Sequence, residues 1–209
     1  MSGRTNTIDD WGGDFGDDYI ERNLPDAERV AQREAMWKAI LPAMAPEMPG
    51  SIVEIGANVG INLRALRNLT DSELFALEPN RKARGILRSD GVVPESNILT
   101  GTGSHIELGE NAVDLAFTSG VLIHVPPEEL PGVYKEMHRV SRRYLLSIEY
   151  FAAEPEGKRY RGRDGLLFKR DFGALWLDLF PDLKIVDYGF FWRPATGLDN
   201  LTWWLFRKP

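Results

Sequence analysis

The stretch from Ser51 to Leu69 constrains this chain more than any other. Ser51-Ile-Val-Glu-Ile55 is a short apolar run, Gly56-Ala-Asn-Val-Gly60 interrupts it, and Ile61, Leu63, Leu66 and Leu69 then fall on the apolar positions of a helix. The same grammar repeats. Residues 73–77 read as a strand before a helix over 80–87, residues 97–100 and 113–118 as further strands, 127–140 as a helix and 144–148 as a fifth strand. Such alternation predicts an α/β fold, a Rossmann-like doubly wound sheet that is mostly parallel.

Beyond residue 150 the rhythm changes. Residues 151–165 carry Glu, Lys, Arg and Gly without periodicity and read as a loop. Residues 171–179 read as a helix with Asp171 near its N-cap, and the aromatic-rich runs 184–192 and 201–206 as strands that form an antiparallel C-terminal edge. Ahead of the sheet, residues 20–43 read as one helix carrying Val30, Met36, Trp37, Ile40 and Leu41, ended by Ala45-Pro46 and Pro49-Gly50. The polar, Gly-rich first dozen residues read as a mobile tail. Residues 1–50 are therefore expected to be an N-terminal helical extension or lid, and 51–209 the Rossmann-like domain, in one structural unit.

Composition narrows the function. A chain of 209 residues with 43% apolar residues can bury one substantial core. A net charge of −6 argues against binding nucleic acid or an anionic membrane through bulk charge. Cys is absent, which excludes disulfides, thiolate metal sites and a Cys nucleophile, and three His make no metal set. No stretch nears the roughly 20 apolar residues of a membrane span, and Met1 to Asp10 lacks the apolar core of a secretion signal. The expectation is a cytoplasmic monomer or homodimer with a small-molecule substrate and no nucleic-acid or membrane partner.

The first loop carries the chemistry. Gly56 permits a tight turn, Gly60 lets the helix pack near the sheet, and the helix start aims free N–H groups into the crevice. A glycine-spaced loop alone is a weak signal, with plain turn chemistry as the alternative. Glu78, about 20 residues on and just past the second strand, sits where an acid grips ribose hydroxyls; a surface acid past a strand end is the bland alternative. Asn58 occupies the middle position where a dinucleotide's pyrophosphate wants glycine. That favours a zwitterionic nucleoside with an amino-acid tail, S-adenosylmethionine, with Glu54 near its ammonium group. Pro79 and Asn80 continue the ribose loop, Thr102 and Gly103 flank the adenine edge, and Thr118, Gly120 and Val121 follow the fourth strand. Strand ends in open α/β sheets face one crevice, where these loops converge.

Longer segments carry a resemblance: Trp11-Gly-Gly-Asp-Phe-Gly-Asp-Asp-Tyr19 with Arg22-Asn23, Val53 to Leu63, Gly120-Val-Leu-Ile-His-Val-Pro126, Tyr160-Arg-Gly162, Leu167-Phe-Lys-Arg-Asp-Phe172, Asp187-Tyr-Gly-Phe190 and Trp203 to Lys208. With these the chain resembles class I S-adenosylmethionine-dependent methyltransferases, and within them the group called pseudaminic acid biosynthesis-associated methylases. One departure stands out. That group continues its fifth strand as Glu-Tyr-Tyr-Asn-Pro, whereas this chain has Glu149-Tyr150-Phe151-Ala152-Ala153, which removes two polar contacts on the substrate side.

Methyl transfer asks the protein for alignment, dryness and sometimes a base. His124 is the candidate base; its alternative role is to cap the turn before Pro126-Pro127. Glu149, which could orient the acceptor or pair with an Arg, and Tyr150 are the other catalytic candidates. Arg22, Arg161, Lys169 and Arg170, near Tyr160 and other aromatics, point to an anionic acceptor; a solvated charge run is the alternative. Tyr19 and Asn23 are expected to fold over the cofactor as a lid and Phe15 to meet the substrate, while Trp37 packs, and Trp192, Trp203 and Trp204 form core and edge-strand packing. The expected activity is methylation of a small, anionic, sugar- or amino-acid-like metabolite on O or N. The alternatives are methylation of a peptide or protein side chain, a nicotinamide-dependent oxidoreductase, against which Asn58 argues, and a non-catalytic cofactor-binding module, against which Glu78 argues.

Overall fold

A computed structural model describes residues 11–160 and 163–209. Its centre is a seven-stranded sheet of β1 (Ser51–Ile55), β2 (Glu73–Leu77), β3 (Ile98–Leu99), β4 (Val113–Ser119), β5 (Ser141–Glu149), β8 (Lys184–Phe191) and β9 (Leu201–Arg207), in the order β3-β2-β1-β4-β5-β9-β8. The first five are parallel; β9 runs antiparallel to both β5 and β8. This is a Rossmann-like, mostly parallel doubly wound sheet. Ile52, Val53, Ile55, Leu115, Ala116 and Phe117 are almost fully buried, as strands covered on both faces must be. The chain leaves β1 in one direction to β2 and β3 and resumes on its other side with β4, so the strand order reverses between β1 and β4. Ile55 pairs with Leu77 on one side and Thr118 on the other, which brings three strand ends level at this switch point.

Helices cover both faces. On one, α2 (Ala27–Ile40), α3 (Ile61–Leu69) and α4 (Arg81–Ser89) contribute Trp37, Ile40, Leu63, Leu66 and Leu87 to a single apolar cluster. Trp37 packs edge-on to Phe117, ring centroids 4.8 Å apart. On the other, α5 (Leu130–Val140) and α6 (Phe172–Leu179) bury Tyr134, Met137, Phe172 and Trp176. The short α7 (Arg193–Thr196) joins β8 to β9.

Three expectations need correction. The single helix over 20–43 is two, α1 (Asp14–Arg22) and α2, followed by a 3₁₀ turn at Leu41–Met44. Pro25 cannot continue a helix, and Asp26 caps the next one by accepting the Arg29 N–H at 2.7 Å. Within 151–165, expected as loop, β6 (Glu156–Tyr160) and the start of β7 (Arg163–Lys169) instead make an antiparallel hairpin of their own, while 151–155 remain loop. The hairpin buries Leu166 and Leu167, and polar residues elsewhere mask its strand pattern. Trp192 is not core; it is 58% exposed at the end of β8, whereas Trp203 is buried and Trp204 lies against Gly173. Among the described residues no helix is long and apolar enough to cross a membrane.

Candidate functional site

The floor of the crevice is the loop from β1 to α3. Gly56 has φ +72°, and a Cβ there would stand 2.7 Å from a Val121 methyl carbon, so backbone passes where a side chain has no room. Gly60 has φ +76° and packs against Leu87 and Val92 behind the crevice rather than lining it. Asn58, between them, is also left-handed, and its backbone N–H donates to Glu78 Oε2 at 2.6 Å. The other Glu78 oxygen accepts the Asn80 N–H at 2.7 Å. Glu78 therefore ties the β1 loop to the β2 loop while facing the crevice. Burial raises its pKa to about 7 despite these hydrogen bonds.

Glu54, at the end of β1, is 2% exposed. Asn62 Nδ2 donates to its Oε1 at 2.6 Å, while Oε2 is buried with no hydrogen-bond partner. Burial raises the pKa of Glu54 to about 8, against the pull of Asn62 and of Arg33. Arg33 extends from α2 into the same crevice, and burial lowers its own pKa, with Glu54 the foremost opposing charge. Neither Arg33 nor Asn62 was expected from sequence. The signal for Arg33 is its position on the face that buries Met36, Trp37 and Ile40, where an arginine is out of place.

The loop after β4 forms the next wall. Ser119, Gly120 and Val121 line the crevice; Thr118 is fully buried in β4 and contributes no surface to it. Glu149 is also fully buried, and its carboxylate accepts from the N–H groups of Val121 (3.2 Å), Leu122 (3.1 Å) and Ile123 (3.4 Å). Burial raises its pKa to about 7. It holds the loop from below and does not line the crevice where an acceptor would lie. His124 closes this turn. Its Nδ1 lies 2.6 Å from the Leu166 carbonyl of β7, so the side chain bonds to the hairpin rather than capping the turn. A carbonyl only accepts, so in the neutral ring Nδ1 carries the hydrogen and Nε2 keeps its lone pair. Burial lowers the His124 pKa to about 4, which keeps the ring neutral at physiological pH.

The segment before and within α1 roofs the crevice. The Trp11 ring stands 4.7 Å from His124, 5.1 Å from Phe15 and 5.2 Å from Tyr19, and Tyr160 of the hairpin lies 5.2 Å from His124. Asn80 anchors this roof: its Nδ2 donates to the Trp11 carbonyl and to Asp17 Oδ1, while its Oδ1 caps α4 at Ala83. Tyr19 and Asn23 line the crevice from above, with Asn23 Nδ2 donating to the Tyr19 carbonyl. Pro79, Thr102 and Gly103 form the far wall.

Of the basic residues expected here, the described Arg22, Lys169 and Arg170 do not line the crevice. Arg22 is solvent-exposed, and Arg170 has its Nε buried and unpartnered away from the lining. Arg161 lies outside the described residues. Lys169 and Tyr150 line a second cavity instead, where the Tyr150 hydroxyl donates to Asp199 at 2.7 Å.

Comparison with known proteins agrees with this geometry. Residues 53–144 match the model of a family described as a methyltransferase domain. No curated protein matches the chain. Among solved structures it is similar to the Burkholderia thailandensis 1,6-didemethyltoxoflavin-N1-methyltransferase, solved with 1,6-didemethyltoxoflavin and S-adenosylhomocysteine, at 16% identity and TM-score 0.69 over 100% of this chain and 93% of that one. The Synechocystis PCC 6803 magnesium protoporphyrin IX methyltransferase, solved with S-adenosylmethionine, is 12% identical with TM-score 0.69, covering 100% of both chains. A Mesorhizobium loti S-adenosylmethionine-dependent methyltransferase is 20% identical with TM-score 0.60, covering 83% of this chain and 98% of that one. At these identities the likeness establishes the fold.

Proposed function

We propose that the protein is an S-adenosylmethionine-dependent methyltransferase acting on O or N of a small, anionic metabolite. The observation that carries this reading is the unpartnered Glu54 Oε2, buried at the crevice floor beside Arg33. A buried acceptor without a donor is costly unless a ligand supplies one. The zwitterionic end of S-adenosylmethionine supplies an ammonium for Glu54 and a carboxylate for Arg33, and Glu78 has lone pairs left for the ribose diol. A dinucleotide fits worse, because its pyrophosphate would approach the carboxylates of Glu54 and Glu78. Pro79, Thr102 and Gly103 would bound the adenine.

S-adenosylmethionine, when bound, supplies a methyl group already activated by a sulfonium. What remains for the chain is alignment and dryness. Glu149 fixes the Gly120–Val121 turn that faces the cofactor. Trp11 and Tyr19 shut the crevice against water as a lid. His124 takes the acceptor's proton at Nε2, and the Leu166 carbonyl fixes the tautomer that leaves that atom free. The lid segment, Arg33 and the hairpin all lie outside residues 53–144, so the domain core holds the nucleoside and the additions enclose the reaction.

Calorimetric titration with S-adenosylhomocysteine and with NAD tests the cofactor. Binding of the former at micromolar concentration and not of the latter is expected; NAD binding without S-adenosylhomocysteine binding overturns the reading. Mass spectrometry of a metabolite extract incubated with the protein and isotopically labelled methyl donor then identifies the acceptor. A labelled protein or peptide in place of a metabolite would move the substrate class to side chains.

A further inference from the structure

The second cavity draws its walls from segments far apart in sequence. Tyr150 and Phe151 follow β5, Lys169 ends β7, and Phe190, Arg193 and Asp199 surround the connection from β8 to β9. It shares no lining residue with the crevice, and Arg33 links the two. The Arg33 guanidinium that lines the crevice also lies within electrostatic reach of Asp199 and Tyr150, and Tyr150 within reach of Tyr19 and Tyr160.

Its chemistry differs from that of the crevice. Asp199, the carboxylate of the cavity, already accepts the Tyr150 hydroxyl. Lys169 Nζ stands 5.0 Å above the Tyr150 ring, and among the described residues neither Lys169 nor the Arg193 guanidinium makes an ion pair. Two cations to one engaged carboxylate leave the cavity electropositive in a chain whose net charge is −6. Beside them stand two large rings, Phe151 at 48% exposure and Phe190 at 58%. Exposed rings grouped with cations at a concave surface mark a place for a ligand that is both flat and acidic.

We propose that the methyl acceptor reaches from the crevice, where His124 meets its reacting atom, into this cavity, and that it is an aromatic acid, its ring against Phe151 and Phe190 and its acid group at Lys169 and Arg193. The inference rests on the methyltransferase reading and adds the substrate class. A sugar acid would meet the same cations but leave both rings uncovered. A cationic amine would meet Lys169 and Arg193 as like charges.

The test titrates the full chain, saturated with S-adenosylhomocysteine, with 2-naphthoate, with neutral 2-naphthylmethanol and with non-aromatic cyclohexanecarboxylate. Naphthoate is expected to bind about tenfold tighter than either counterpart. Lys169→Met is expected to weaken naphthoate about fivefold or more, to leave naphthylmethanol within about twofold, and to leave S-adenosylhomocysteine affinity unchanged. Should Lys169→Met impair S-adenosylhomocysteine binding by disturbing the fold, Arg193→Gln, on an exposed turn, gives the same readout. If S-adenosylhomocysteine binds but naphthoate does not, or binds no tighter than its counterparts, or is indifferent to both substitutions, the inference is overturned. If S-adenosylhomocysteine itself does not bind the wild-type chain, the methyltransferase reading fails instead.

Discussion

Replacing Glu54 by Gln keeps the shape of the side chain and removes its charge. With a pKa of about 8, Glu54 is about 90% protonated in the free chain at pH 7. Pairing with an ammonium requires the carboxylate, so cofactor binding at pH 7 should release about 0.9 proton per chain. Ionising the group one pH unit below its pKa costs about 1.4 kcal/mol, and a hydrogen bond to a charged partner returns about 1.5–3 kcal/mol. Net of that ionisation cost the carboxylate gains at most about 1.6 kcal/mol at pH 7, so Glu54→Gln is expected to raise the Kd for S-adenosylhomocysteine by up to about 15-fold. Affinity for 5′-methylthioadenosine, which lacks the amino-acid tail, should not change. Calorimetry in buffers of different ionisation enthalpy reads both affinity and proton release, and the release should vanish in the variant. The same pKa fixes a stability trend. The folded free chain holds a proton that the unfolded chain gives up near pH 4.5, so Glu54 makes the free chain less stable as pH rises from about 4.5 to 8. Saturating S-adenosylhomocysteine should flatten that slope. A Glu54→Gln variant that binds as tightly as wild type and releases the same protons would refute the assignment of Glu54 to the ammonium.

Glu78→Ala should weaken both S-adenosylhomocysteine and 5′-methylthioadenosine by about 1–3 kcal/mol, since both carry the ribose; unchanged binding removes Glu78 from that role. His124→Ala should lower turnover by about two to four orders of magnitude while S-adenosylhomocysteine affinity holds, and wild-type turnover would leave His124 a structural residue only. The His124 pKa of about 4 against an ordinary 6.5 means the unfolded chain binds a proton the buried ring refuses. His124 stabilisation is therefore complete above pH 6.5 and lost as pH falls towards 4, by up to about 3 kcal/mol. Urea unfolding of wild type and His124→Asn across that window checks it, because the difference between them should track pH. Gly56→Ala should cost about 1–2 kcal/mol for its positive φ alone, with a further loss from the Val121 clash that Val121→Ala partly relieves.

What was legible in the sequence is what depends on neighbours along the chain. The β1–loop–α3 unit and Glu78 declare themselves through apolar periodicity and glycine spacing, and Asn80 through its place at a helix start. Groups that matter through long-range register were not legible. Glu149 looks like a strand-end acid available to a substrate, and only the β4–β5 pairing directs it onto three backbone N–H groups. Arg33 reads as one more charge on a helix until the sheet packs beneath that face. The hairpin of β6 and β7 escaped because charge hides its alternation and its partner, His124, lies about 40 residues upstream. The helix break was marked locally by Pro25-Asp26, and the apolar run beyond it outweighed that sign.

The most direct measurement of the central claim is a crystal structure of the chain grown with excess S-adenosylhomocysteine. It should show the amino group within hydrogen-bonding distance of Glu54 Oε2, the carboxylate on Arg33 and the ribose hydroxyls on Glu78. A complex in which the compound lies elsewhere, or the Glu54–Glu78 floor stays filled by the chain's own side chains, would contradict the account.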